Sequence, residues 1–269
     1  MKGSCELLPE LNSLFQFKQK FPALLILPKI ENLVNEDDPT LSDVVTVCKS
    51  NGALFHKLTH HLNGDINERQ VAKEILLKKG MGYLLSVGIR TMNQEIFSLP
   101  VKAFDGLTEF MLKRRSIILA RYVKEFSSLT SISPDHVYLC GLFYNFRMVC
   151  FEYLVHAEKL EITDFNAQEN RVSTAVANAL ESIGYNPLIT SFLNDTSRDI
   201  YETKNPLLHA LTRIGNAMLV DSDTTGRNTF RNTSFLDPTL VELTGLSLKE
   251  LIEPMKEVVR NFKGGTNRQ

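Results

Sequence analysis

Apolar residues recur every three to four positions along almost the whole chain, and no stretch shows the two-residue alternation that is typical of strands. The pattern therefore predicts an all-α protein. Before residue 100 it is interrupted by proline and by glycine next to asparagine, which mark turns. The segments between these turns predict a bundle of five short helices that begin near Pro28, Leu41, Ala53, Glu68 and Tyr83.

The apolar segments become longer after Pro100, so we expect a boundary between subdomains there. An N-terminal helical subdomain would cover residues 1–99 and a second helical subdomain residues 100–269. The stretch 221–238 is polar and rich in Thr, Asn and Ser, which predicts a long surface loop. The helices predicted for the second subdomain span about 106–127, 134–156, 166–183, 187–194, 204–220 and 248–262.

The composition favours a folded protein without a nucleic-acid partner. Of the 269 residues, 43% are hydrophobic and 23% are charged, which suffices for a core and argues against disorder. The formal net charge is −1 and the pI is about 6.6. A protein held on nucleic acid by phosphate contacts is expected to be strongly basic, and this chain is not.

Apolar stretches and cysteines bear on the cellular location. The run 21–28 is too short to cross a bilayer, and 137–154 contains Asn145, Arg147 and Glu152, which is more typical of a buried core helix. The first twenty residues lack the continuous apolar region of a signal peptide. None of the four cysteines forms a C-x-x-C pair, so free thiols are expected. We predict a cytoplasmic protein with no membrane contact.

Three histidines, His56, His60 and His61, are candidate metal ligands, because histidines four residues apart share one face of a helix. However, Leu54 and Leu58 mark the buried face, and His56 and His60 project away from it. No carboxylate stands at ligand spacing on the same helix. We therefore expect a solvated surface and no metal site.

Arg115 is the charged residue whose predicted position is most unusual, since it lies near the middle of an apolar face that includes Ile118 and Tyr122. A buried guanidinium is costly unless it meets a carboxylate or an anion. Alternatively, its stem reaches past the helix to water. Asn145 and Glu152, seven residues apart, face the same way on the 134–156 helix, which gives Glu152 a route to pair with Arg115.

Residues 141–149 resemble the metal-binding helix of HD-type phosphohydrolases. In such enzymes a helix that opens with Gly-Leu-Leu carries an adjacent His-Asp pair, which binds a divalent metal. Here Gly141-Leu-Phe143 is followed by Tyr144 and Asn145, which are poor ligands for a hydrolytic metal. The resemblance places Arg115 at the first ligand position. It implies that the helix is kept and the hydrolytic chemistry lost.

Several segments of the chain match the motifs of one known family in order and spacing. They are 21–28, 51–63, 74–80, Arg115-Ser116 followed by Ala120, 141–143 and 206–217. On these segments most of the chain, over about residues 15–262, resembles the HD-related output domain (HDOD) family. One departure is Asn51-Gly52, which stands in place of the family's Asp-Pro and puts in doubt any function tied to that turn.

The resemblance implies an all-α fold in which an N-terminal short-helix bundle packs on an HD-like helical core. It also implies a signalling role without catalysis. The preferred interpretation is a non-enzymatic bacterial regulatory module that contacts a protein partner in trans and uses no cofactor or metal.

Two other functions are consistent with the same residues. The alternative is a small-ligand or nucleotide sensor that uses the remnant of the HD cavity. Arg115, Tyr144, Asn145 and Arg147 would then supply stacking, hydrogen bonds and anion pairing, and Glu152 would complete the site. The third is a metal-dependent phosphohydrolase that uses ligands other than the His-Asp pair.

Overall fold

The regular elements in the part of the chain that the structure describes are all helical. This computed structural model describes residues 21–62, 66–97, 109–157, 165–225, 230 and 233–265, which contain helices and no strand. The all-α prediction is confirmed. Before residue 100 the helices are α1 (Ile26–Val34), α2 (Leu41–Lys49), α3 (Gly52–His61), α4 (Glu68–Glu74) and α5 (Met81–Ile96). A 3₁₀ turn at Pro22–Leu25 precedes α1, and α4 continues as a π turn at Ile75–Lys79. The later helices are α6 (Glu109–Glu125), α7 (Ser127–Thr130), α8 (Pro134–Ala157), α9 (Phe165–Ser182), α10 (Pro187–Asn194), α11 (Pro206–Thr225), α12 (Pro238–Thr244) and α13 (Leu248–Gly265).

Polar side chains determine where several of these helices begin. Thr40 and Asp43 cap each other at the start of α2, each side chain accepting a hydrogen bond from the other residue's N–H. At the start of α3, the Asn51 side chain accepts from the Leu54 N–H at 2.8 Å. Such caps satisfy backbone donors that have no partner within the helix, and each stabilises by about 1 kcal/mol. These helix starts are therefore encoded locally.

The chain divides into two compact units, and the first combines Met1–Pro100 with Ala179–Asn186. Within this unit α1 packs against α5, and α2 packs against α4. Tyr185 is buried, and its hydroxyl donates to Met92 Sδ at 3.4 Å. A segment from much later in the sequence thus contributes to the interior of the first unit.

The second unit combines Val101–Asn178 with Pro187–Gln269 and is built around α8. Nearly all residues from 137 to 151 are buried, and α8 packs on α6 and α10. Gly141 permits the close approach of α8 to α6, because a Cβ there would lie 2.8 Å from Ala120 Cα. Although α8 is strongly apolar, no helix among the described residues has the length and apolar content needed to cross a membrane. Helices α11 and α13 also pack on α6.

The prediction of a long surface loop over 221–238 is wrong at both of its ends. Helix α11 continues to Thr225, and Ser222 is buried within it. The missed helix α12 begins at Pro238, capped by Asp237, whose carboxylate accepts from the Thr239 N–H. Residues 226–229 and 231–232 of the predicted loop lie outside the described residues. Tertiary contacts of α11 thus outweigh the polar composition of its last turn.

We expect Gly141→Ala to lower the free energy of unfolding by about 1–3 kcal/mol, because its methyl group would collide with the backbone of Ala120 in α6. Urea unfolding followed by circular dichroism measures the effect. The matched control is Gly82→Ala in α5, where a Cβ would meet nothing within 4 Å. The control should be neutral or slightly stabilising, since alanine favours helix more than glycine. An equal loss in both variants would contradict close packing at Gly141.

Candidate functional site

Arg147 lies at the centre of the second unit, where its side chain is 2% exposed. It extends from α8 and donates from Nη1 to Glu169 Oε1 at 2.8 Å, to Ser173 Oγ at 2.6 Å and to Thr196 Oγ1 at 2.7 Å. Its Nε donates to the backbone oxygen of Tyr144 at 2.8 Å. The guanidinium is thus neutralised and hydrogen-bonded, which buried charge requires. One side chain thereby connects α8, α9 and the turn after α10.

Tyr144 lies one turn before Arg147 on the same helix, and its ring centroid is 4.5 Å from the guanidinium carbon. A cation over an aromatic face is stabilised by the ring quadrupole. Tyr144 therefore contributes an aromatic face to the hydrogen-bonded group around Arg147.

Arg115 pairs with Asp223 of α11, and its Nε lies 2.5 Å from Asp223 Oδ2. The neighbouring Arg114 donates from Nη1 to Oδ1 of the same carboxylate at 3.0 Å. All three side chains are at least 86% buried, the most exposed being Arg114 at 14%. Of the two possibilities left open for Arg115, the structure has the carboxylate partner rather than a path to water.

The carboxylate beside Arg115 differs from the one expected from helix spacing. The partner is Asp223, whereas the position of Glu152 on α8 had indicated Glu152 as a candidate partner. The side chain of Glu152 lies outside the described residues. Spacing along a single helix gives the direction of a side chain but does not identify which distant segment meets it.

Four side chains in this unit carry a buried polar atom without a hydrogen-bond partner among the described residues, namely Tyr122, Asn145, Asn194 and His209. Asn145 is 2% exposed, and its Nδ2 has no acceptor among the described residues. His209 of α11 is 1% exposed, and neither ring nitrogen has a partner. Burial, followed by the charges of Arg213 and Arg147, lowers the pKa of His209 to about 3. This histidine is therefore neutral at ordinary pH.

The other candidate chemistry of the sequence is dispersed. His56 and His60 are exposed with ring centroids 6.5 Å apart, as the surface interpretation predicts, and the side chain of His61 lies outside the described residues. Among those residues no group of three or more His, Cys, Asp or Glu side chains is placed to hold a metal ion. Cys48, Cys140 and Cys150 are buried free thiols, and burial raises the pKa of each.

An open groove of about 610 Å³ lies on the first unit, away from the residues singled out by the sequence. Leu41 and Val45 form its apolar part, and Lys49 and Arg69 provide positive charge. Its other lining residues are Ser42, Asn67 and Glu68.

No protein-family model, curated protein or solved structure matches this chain.

Sequence reasoning missed the partners of both buried arginines. Asp223 stood in the predicted loop, and nothing marked Glu169 or Thr196 among many similar residues. One feature indicates that α11 extends as far as Asp223. Its buried positions recur at helical spacing beyond the last apolar one, Met218, and end at Ser222, next to Asp223. These positions are Leu208, Leu211, Gly215, Met218 and Ser222.

We expect Arg147→Met to reduce the free energy of unfolding by about 3–5 kcal/mol, because Glu169, Ser173 and Thr196 would lose their shared donor. Equilibrium urea unfolding checks this. The control is Arg171→Met, an exposed arginine of α9, for which a change within about 0.5 kcal/mol is expected. Equal effects in the two variants would show that the buried network is not a principal source of stability.

Proposed function

We propose that this protein is a non-catalytic regulatory module of the HDOD type that acts through contact with a protein partner. The observation that carries the proposal is that two buried arginines, Arg115 and Arg147, are paired with the carboxylates of Asp223 and Glu169 in and beside the helix that resembles the HD metal-binding helix. In a hydrolase the metal would be bound at the positions of Arg115, Tyr144 and Asn145. Here these residues belong to a hydrogen-bonded interior or lie next to it.

The charge of these residues supports the absence of metal-dependent hydrolysis. A guanidinium stays protonated in proteins and has no lone pair to offer to a metal. It also repels a divalent cation, and the repulsion is stronger in a buried site than in water. Arg115 stands where the resemblance places the first metal ligand, and Arg147 lies one turn beyond the Tyr144-Asn145 pair.

A scaffold role also agrees with the way in which the two arginine–carboxylate pairs connect different helices. Arg115 ties α6 to α11, and Arg147 ties α8 to α9 and to the turn after α10. Ion pairs that cross helices favour one arrangement of those helices over its alternatives. A constant arrangement would present a constant surface, which is what recognition by a partner needs. In this proposal the partner is a bacterial cytoplasmic signalling protein bound in trans.

One observation favours a second candidate, a small-ligand or nucleotide sensor. The Nδ2 of Asn145 is buried without an acceptor among the described residues, and a buried amide donor gains from a hydrogen bond. Tyr144 is partly exposed beside it and offers an aromatic face for stacking. A ligand carbonyl or ring nitrogen would satisfy the amide.

We expect the full-length tagged chain to recover a specific protein from lysate of its source organism, and the purified pair to form a complex of defined stoichiometry. Exposed apolar side chains are the first candidates for anchors. Separate serine substitutions at Leu77, Phe110 and Tyr201, which are 80%, 61% and 68% exposed, should leave the melting temperature unchanged. At least one should weaken the purified complex about tenfold or more, a loss typical of an interface anchor.

The control for this experiment is Val34→Ser, at a less exposed apolar position in α1. Recovery of no specific partner by folded protein would count against the module. Stabilisation by a nucleotide that disappears in Asn145→Ala would favour the sensor. Stoichiometric metal in the purified protein, together with phosphate release, would favour the hydrolase over both.

A further inference from the structure

His209 of α11 forms an aromatic stack with Phe192 of α10. Its ring centroid lies 4.3 Å from that of Phe192, with an angle of 21° between the two planes. Phe192 is fully buried in α10, whose residues Ile189 and Leu193 are buried as well. Because His209 makes no hydrogen bond to another described residue, ring packing is its observed attachment. The neutral form of the ring is the form suited to this apolar contact.

Two arginines hold the other end of the same segment. Arg213 Nη2 donates to the backbone oxygens of Thr196 at 2.9 Å and Arg198 at 2.8 Å. Arg147 Nη1 donates to the hydroxyl of Thr196. The segment 187–198 is therefore joined to α11 by the imidazole of His209 and the guanidinium of Arg213, and to α8 by Arg147 and by the packing of α10.

The charges around His209 make its protonation unfavourable while the segment is in place. Arg213 of its own helix and Arg147 of α8 both act on the ring and add to the effect of burial. The nearby carboxylates have partners of their own, since Glu169 bonds to Arg147 and Asp195 to Arg198. Other charged residues on elements that pack against α11 are Lys113, Arg114, Arg115, Arg121, Lys124 and Glu125 of α6, Asp135 of α8, Glu202 of the 3₁₀ turn at Ile200–Glu202, and Glu242 of α12.

We propose that His209 is a proton-sensitive latch, which in its neutral form keeps the segment 187–198 packed against α11 and on protonation releases it. A third positive charge beside Arg147 and Arg213 would repel both of the guanidinium groups that hold the turn. Release lets the imidazolium reach water and relieves that repulsion. The device concerns the fold of the second unit and does not depend on the identity of a partner.

The direction of the pH dependence follows from the lowered pKa of His209. In the closed state the pKa is about 3, and in the released state it returns toward its ordinary value of 6.5. The released state therefore binds more protons between these two values. The closed state is fully favoured above about pH 6.5. As the pH falls from there toward 3, the ratio of closed to released protein decreases by up to about tenfold per pH unit.

Hydrogen–deuterium exchange of the intact protein tests the latch. Rates for peptides that cover 187–198 are measured at pH 5.0 and pH 7.5 and corrected for intrinsic exchange. We expect the opening constant of the wild-type segment to be about 30-fold larger at pH 5.0, from the linkage of a single group with an open-state pKa near 6.5. Peptides of α2 in the first unit serve as the internal reference and should change far less.

The matched variant is His209→Phe, which keeps an aromatic ring for Phe192 and removes the titrating group. Its opening constant should be the same at both pH values. His209→Gln provides a second non-titrating side chain if phenylalanine does not fit. A wild-type segment whose opening does not depend on pH overturns the proposal without any variant. A folded variant that retains the full 30-fold response overturns it as well, because the response then belongs to another group.

Discussion

The requirement that the buried charge of Arg147 be neutralised and hydrogen-bonded determines how the second unit is built. An arginine in the middle of an apolar helix is tolerated only if acceptors from other elements converge on it. Here α9 supplies a carboxylate and a hydroxyl, and the turn after α10 supplies a second hydroxyl. Each of these elements must therefore stand at one distance and in one orientation relative to α8.

Asp223 has a similar organising role at the other side of the unit. It accepts from Arg114 and Arg115 together, so the last turn of α11 is held by two cations that follow each other on α6. The two arginines thus share one carboxylate as their counter-ion. The close contact of α6 with α11 around Gly215 and Tyr122 lies further along the same two helices. Polar pairing and apolar packing thus align one helix pair.

Local information in the sequence predicts most of the helices but not the network that joins them. The helical spacing of apolar residues that begins near Leu41 and the apolar stretch 137–154 are signals carried by neighbouring residues, and the helices they predict are present. The place of Arg115 on an apolar helical face followed from the same kind of signal, and the structure shows its side chain buried. Its partner did not, because Asp223 is more than a hundred residues away in a turn of polar composition. Pairing across that separation depends on tertiary packing, which periodicity does not encode.

The contribution of residues 179–186 to the first unit has a consequence for the order in which the chain acquires its structure. Tyr185 is completely buried beside Met92, yet a ribosome delivers it long after the first hundred residues have emerged. During synthesis the core formed by the early helices therefore lacks the side chain of Tyr185 until that residue is made. A fragment that ends at Pro100 would keep that gap permanently and would be a poor substitute for the unit. The first hundred residues, although contiguous in the sequence, therefore do not contain the complete core of the first unit.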